Sequence, residues 1–316
     1  MPSRGAAGSG TGSGGSGSGR STPVALVTGC SAGGIGHALC LFLRSRGCRV
    51  FGTVRRGGAA PELEEAGVTV VGGIDVAREA DCAAAVAAVL EAAGRLDILV
   101  NNAGVVALGP SCEVPMDVVR RTFEANVFGL LQMCQAAHRP MVAQGGGKII
   151  NIASLTGLQP VPLRGIYSST KAAVVRLSDA LRIELRPLGV QVACVCPGFI
   201  NTRARDNARS NCAPPTGGLW GGWLAALERT MAARLARAVP VDAYAAQLGE
   251  VILRERLPRV WIGRCAGLEW LPRWLPAPLR DRALAKALAI NELEPELRAN
   301  AAELAASWPE SSKKGS

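Results

Sequence analysis

The chain has 316 residues, 48% of them hydrophobic, and a formal net charge of +10. That length and apolar share permit one large α/β domain, and no apolar run reaches the roughly eighteen residues of a membrane-spanning helix. A basic balance admits nucleic acid, anionic lipid or phosphorylated ligands. Only 4% of residues are aromatic, however, and neither an RNA-binding aromatic motif nor a helix-turn-helix pattern occurs, which argues against nucleic acid.

Residues 1–21 are almost entirely Gly, Ser and Ala. Such a tail buries too little to offset its ordering entropy and is expected to be disordered. It lacks the apolar stretch of a secretory signal. No acidic residue precedes Glu62, which leaves a plastid or mitochondrial transit peptide open, although Arg4 and Arg20 are its only basic residues.

The ordered pattern begins with Pro23–Thr28, a short apolar run that reads as a buried strand. Residues 34–46 have helical spacing and stop at Gly47. Strands are expected at 49–54, 68–74, 96–100, 148–153 and 190–196. Helices are expected at 82–93, over a long stretch at 118–142 that Pro140 kinks or ends, and at 166–186. Strands and helices alternate, and the strands are apolar on both faces. The expected fold is a doubly wound parallel sheet covered on both sides. Past residue 198 the alternation fades into a Gly/Pro/Trp cluster, then helices, then a Trp/Pro/Arg-rich stretch at 258–280.

Ten cysteines include no C-x-x-C pair, and most lie in apolar runs, as Cys40, Cys134 and Cys194 do. They read as small buried hydrophobes in a reducing compartment, with no metal site expected.

Two chemistries compete for the turn after the first strand. Gly29, Gly33, Gly34 and Gly36 crowd a strand-to-helix junction, where a pyrophosphate can approach the backbone and the helix N-terminus favours its charge. The same residues, Gly29-Cys30-Ser31-Ala32-Gly33, also spell a G-x-S-x-G nucleophile elbow. A hydrolase triad of that kind needs an acid and then a histidine downstream. The only histidines are His37 and His138, so the phosphate reading is preferred.

Tyr167 and Lys171 are four residues apart on a predicted helix and so share a face. The chain has five lysines in all, which makes the pairing informative. A phenol titrates near pH 10, and an adjacent ammonium lowers that value towards neutrality. Ser154 ends the fifth strand at the carboxyl edge, where ligands of such sheets sit.

These residues resemble those of the short-chain dehydrogenase/reductase family over about residues 22–265. The motifs are Thr28-Gly29…Gly34-Ile35-Gly36, Asp75, Asn101-Asn102-Ala103-Gly104, Asn126, Ser154, Tyr167, Lys171, and Pro197-Gly198 followed by Thr202. The resemblance implies a single Rossmann-type domain, with 266–316 as a helical C-terminal extension. It implies that Tyr167 passes a proton to or from the substrate oxygen. Lys171 would lower the Tyr167 pKa and hold the nicotinamide ribose, and Ser154 would bond the reacting carbonyl. Asn126 would anchor a water linking Lys171 to solvent. Gly29, Ser31, Gly34 and Ile35 would form the phosphate turn. Asp75 and Val76 would flank the adenine, Asn102, Ala103 and Gly104 would line the middle of the cofactor, and Pro197, Gly198 and Thr202 would also bind it.

One departure from the family pattern is the four residues between Gly29 and Gly34, where three are usual. That form, with the C-terminal run at 275–291, is similar to the NADPH-dependent 1-acyl-dihydroxyacetone-phosphate reductase branch. At the end of the second strand, where an acid would take an NAD ribose, stand Val54, Arg55 and Arg56. Two guanidinium groups and no carboxylate favour NADP.

The expected function is NADPH-dependent reduction of a lipid-type ketone to an alcohol. A hydroxysteroid, retinoid or pigment-type dehydrogenase of the same fold and a non-catalytic binding protein are the alternatives. Arg203, Arg205 and Arg209 with Leu219, Trp220, Trp223 and Leu224 suit a phosphate headgroup and an acyl chain. Trp261, Trp270 and Trp274 among Arg259, Arg264, Arg273 and Arg280 suit a peripheral position at an endoplasmic reticulum or lipid-droplet surface. The alternative is that these tryptophans close the core. A homo-oligomer is implied by resemblance alone.

Overall fold

The computed structural model describes residues 22–55, 58, 60–202, 219–220, 222, 238–263, 275–287 and 290–307. In chain order the first elements are β1 (Val24–Val27), α1 (Ile35–Ser45), β2 (Arg49–Thr53), α2 (Pro61–Glu65), β3 (Thr69–Val71), α3 (Glu79–Ala93) and β4 (Ile98–Asn101). Then come α4 (Met116–Phe123), α5 (Gly129–Ala143), β5 (Gly147–Ile152), α6 (Gly165–Leu185) and β6 (Val190–Val195). The remainder is β7 (Ile200–Asn201), β8 (Val239–Pro240), α7 (Val241–Leu253), β9 (Val260–Trp261), α8 (Ala277–Ala287) and α9 (Ile290–Ser307).

Seven strands form one sheet in the order β3-β2-β1-β4-β5-β6-β9, parallel throughout. The chain reverses direction across the sheet between β1 and β4, and the carboxyl ends of these strands open the crevice in which such folds bind ligands. Because side chains alternate along a strand, each strand feeds two cores. Val24, Leu26, Leu99, Ile149 and Val192 join Val86, Met133, Met141 and Val174 of α3, α5 and α6 on one face. Ala25, Val27, Ile98, Val100 and Ile150 join Leu39, Leu43, Leu63, Leu248 and Ile252 of α1, α2 and α7 on the other. Each fully buried leucine contributes about 1.5–3 kcal/mol, so this two-faced pattern is what stabilises a doubly wound sheet.

Three elements depart from the sequence expectation. The expected strand at 68–74 is only Thr69–Val71. The expected long helix is interrupted by one π turn, Glu124–Phe128, between α4 and α5, and α5 continues three residues beyond Pro140. The seventh strand, β9, lies in the Trp/Pro/Arg-rich stretch, where no strand was expected. There Trp261 pairs with Val195 and packs against the buried Tyr244, the rings tilted by 45° at a centroid distance of 5.3 Å. For this tryptophan the core reading holds, not the lipid-surface one. Arg259 makes a bidentate bond to Asp179 of α6, both contacts at 2.7 Å. Arg56, Arg203, Arg205, Arg209, Trp223, Leu224, Arg264, Trp270, Arg273 and Trp274 lie outside the described residues.

Candidate active site

Between β1 and α1 the glycine turn is held from behind by the segment after β4. Thr28 Oγ1 accepts the amides of Asn102 and Ala103, both at 3.0 Å. The Asn102 amide donates to the carbonyls of Thr28 (2.8 Å) and Gly29 (3.0 Å). Gly29 has φ +71°, and a Cβ there would sit 2.7 Å from Ala103 Cα, so only glycine fits. Gly36 is equally confined, because a Cβ would collide with the Asn102 amide and lie 2.8 Å from the Gly29 carbonyl. Helix α1 starts at Ile35, with Gly34 as its N-cap and no side-chain cap on its first amides. An uncapped helix N-terminus over a glycine-rich turn is suited to an anion.

These elements open into a cavity of about 330 Å³ at the carboxyl edge of the sheet. Gly29, Ser31, Gly34 and Ile35 line it from the turn, and Asp75, Val76, Asn102, Ala103 and Gly104 line it from the loops after β3 and β4. Ser154, Tyr167, Lys171, Pro197, Gly198 and Thr202 line the opposite end. Asp75 caps its own turn by accepting the Ala77 amide at 3.1 Å. The hydrolase reading finds no histidine for Ser31. His37 lies 3.2 Å from Glu62, and His138 bonds the Gln135 carbonyl.

The reading of the second strand needs correction. Thr53 and Arg55 line the cavity, but Val54 is 2% exposed and packs in the core with Val27 and Leu63. Strand alternation turns the side chain of residue 54 away from the ligand. The cavity-facing position is therefore Arg55, and an acid introduced at 54 would enter the core.

At the other end, the Tyr167 phenol and Ser154 both line the cavity, and the Ser154 hydroxyl is near enough to act on the phenol. Burial raises the tyrosine pKa above its ordinary value, opposed by the Arg164 charge and the Ser154 hydroxyl. The Lys171 ammonium donates to the Ile152 carbonyl at 2.9 Å and lies 5.7 Å from the centre of the Tyr167 ring. The expected spacing of the pair is realised. In this structure, however, the influences that lower the phenol's pKa come from Arg164 and Ser154.

Asn126 sits in the π turn, buried behind the cavity. Its side chain clasps the Val105 backbone, accepting the amide at 2.8 Å and donating to the carbonyl at 2.9 Å. It also donates to Thr170 Oγ1 at 3.0 Å, and Thr170 donates to the Tyr167 carbonyl at 2.7 Å. Thr170 and Arg164 escaped the sequence reading. A threonine inside a helix and an arginine before one carry no distinguishing local pattern.

Burial lowers the Lys171 pKa from 10.5 to about 8. The unfolded chain thus binds this proton more tightly than the folded one between about pH 8 and pH 10.5. Below that window both states are protonated and the cost of burying the charge is fully present. Native stability should therefore rise through the window, relative to Lys171→Met, by up to about 3 kcal/mol. Denaturant unfolding of both proteins across that range is the check, and parallel pH profiles would contradict it.

Residues 23–213 match the short chain dehydrogenase family. A short-chain dehydrogenase of Talaromyces islandicus is 38% identical over 57% of this chain and 64% of its own length. One from Pyricularia oryzae is 32% identical over 81% of this chain and 91% of its own. A 3-ketodihydrosphingosine reductase of Bacteroides thetaiotaomicron is 35% identical over 58% and 66% respectively. Among solved structures, an actinorhodin polyketide ketoreductase with NADPH superposes with a TM-score of 0.66 at 31% identity, covering 78% of this chain and 97% of that one. A Burkholderia phymatum short chain dehydrogenase/reductase with NAD gives 0.67 at 28% identity, covering 85% and 95%.

Proposed function

The chain belongs to the short-chain dehydrogenase family, and from that premise we propose that it is an NADPH-dependent reductase of a ketone with an extended, lipid-like body. The observation that carries the reading is the cavity itself. Tyr167, Ser154 and Lys171 stand at one end and an uncapped glycine turn at the other. When bound, the dinucleotide supplies the hydride that a carbonyl needs to become an alcohol.

The protein's own groups supply the rest. The uncapped amides that open α1 at Ile35 and the close backbone approach at Gly29 and Gly34 would hold the pyrophosphate. Arg55 would take a ribose 2′-phosphate by charge-assisted bonds. Asp75 and Val76 would border the adenine. Asn102, Ala103 and Gly104 would line the cofactor's middle, with Pro197, Gly198 and Thr202 at the nicotinamide end. Ser154 would bond the reacting carbonyl oxygen and position it against Tyr167. A phenol is protonated at neutral pH and so carries the proton needed in the reductive direction; burial, which raises its pKa, works against the transfer, and nearby cations that favour the phenolate work for it. Lys171 would orient the ribose and, as an ammonium, favour the phenolate left after donation. Asn126 would hold the Val105 loop and, through Thr170, the helix that carries Tyr167.

The lipid-like body is supported by the apolar wall of Val105, Val106, Leu108, Phe199 and Ile200 and by similarity to the 3-ketodihydrosphingosine reductase. The acyl-dihydroxyacetone-phosphate branch remains a second candidate on the turn and C-terminal resemblance. The test is NADPH oxidation by the purified full chain with 3-ketodihydrosphingosine, acyl-dihydroxyacetone phosphate and a short neutral ketone. At least one long-chain substrate should exceed the short ketone by about tenfold or more in kcat/KM, since each extra buried methylene adds about 0.8 kcal/mol. Absence of turnover with all three would overturn the reading.

A further inference from the structure

Arg164 occupies a position that helix physics disfavours. It is the N-cap residue of α6, and its side chain makes no capping bond there. N-caps favour Ser, Thr, Asp and Asn, and a cation beside a helix N-terminus opposes the macrodipole. The first turn of α6 itself carries no acidic residue. Local rules broken in this way concentrate at functional sites.

The side chain is placed for a ligand. Arg164 lines the cavity, and its guanidinium lies 5.9 Å from the centre of the Phe199 ring. It is near enough to the phenol for its charge to act on Tyr167. Val105, Leu108 and Ile200, which share the cavity lining, are apolar, and among the described residues the acid lining it is Asp75, associated with the turn after β3. A planar guanidinium against an aromatic face, bordering apolar wall, is suited to a planar or tetrahedral oxyanion.

We propose that Arg164 is a specificity-determining residue that binds an oxyanion group, carboxylate or phosphate, carried by the ketone substrate close to its reacting carbonyl. The inference rests on the reductase reading for the identity of the reacting group, but the anion site can be measured without turnover.

Two matched pairs of probes separate the sources: levulinate against its methyl ester, and dihydroxyacetone phosphate against dihydroxyacetone. Ligand-observed NMR titration of the full chain gives affinities, and NADPH oxidation gives kcat/KM. At least one anionic probe should bind about tenfold to a hundredfold better than its neutral partner. Arg164→Gln should abolish that ratio, and Arg164→Lys should retain part of it. The winning pair identifies carboxylate or phosphate. Equal affinity within both pairs, or a preference that survives Arg164→Gln in a protein of unchanged fold by circular dichroism, overturns the proposal. A binding preference lost in Arg164→Gln without turnover of any ketone would leave the anion site standing and remove the reductase reading instead.

Discussion

Tyr167→Phe is expected to lower turnover by about 10²–10⁴-fold while leaving dinucleotide affinity nearly unchanged. The substitution removes one oxygen. The ring keeps its place on α6, and the Thr170 bond to the backbone carbonyl of residue 167 is independent of the side chain. Ser154 would lose the phenol hydroxyl near it yet keep its bond from the Thr156 amide at 3.2 Å. The glycine turn, which would hold the nucleotide, lies at the far end of the cavity and is fixed by Asn102 and Thr28. Proton donation should therefore fail while binding persists. Single-turnover rates and fluorescence titration with NADPH separate the two effects. Near-normal rates would exclude the phenol as the acid.

The second large effect concerns the choice of dinucleotide. Arg55→Asp should shift the ratio of NADPH to NADH efficiency by about a hundredfold to ten-thousandfold. Losing a charge-assisted bond to a phosphate costs about 1.5–3 kcal/mol, and a carboxylate accepting ribose hydroxyls gains a comparable amount for NADH. The neighbouring Val54→Asp is the control. It would bury a carboxylate among Val27 and Leu63, where an unpaired charge costs several kcal/mol, so it should destabilise the protein without redirecting the preference. The measurement is kcat/KM for each dinucleotide, with urea midpoints for both variants. Equal efficiency with NADPH and NADH in the unaltered protein would remove Arg55 from this role.

The difference between those two positions shows how far the sequence could be read. The strand itself was legible, because residues 49–53 are β-compatible and lead to a glycine-rich turn. Its phase was not. Thr53 and Arg55 line the cavity while Val54 packs inward, and a one-residue error in phase exchanges the faces. Likewise the 118–142 segment was legible as helix, but not its π turn, since one extra residue shifts the apolar phase only once, and the few positions on either side are too short a pattern to reveal it. Asn126 was recognised from its motif. Its clasp on Val105 and its reach to Thr170 join segments 21 and 44 residues away, and helical periodicity says nothing about contacts at that range. The two-residue β9 was missed because so short a strand is specified by pairing with β6 rather than by its own composition.

What the sequence determined alone is therefore local and periodic: alternating strands and helices, strands apolar on both faces, a turn crowded with glycine, and a tyrosine and lysine one helical turn apart. Those features require a parallel sheet between two cores, because strands so apolar on both faces must be covered on both. Tertiary structure decided which side chains enter the cavity. It turned Arg55 into the cavity and Val54 into the core, placed Arg164 beside the phenol, and brought Tyr167 and Ser154 of different elements into one cavity. The reason is physical. A side chain's direction depends on the pleat and on the long-range contacts that hold each element in place, and both are settled only when distant segments pack together.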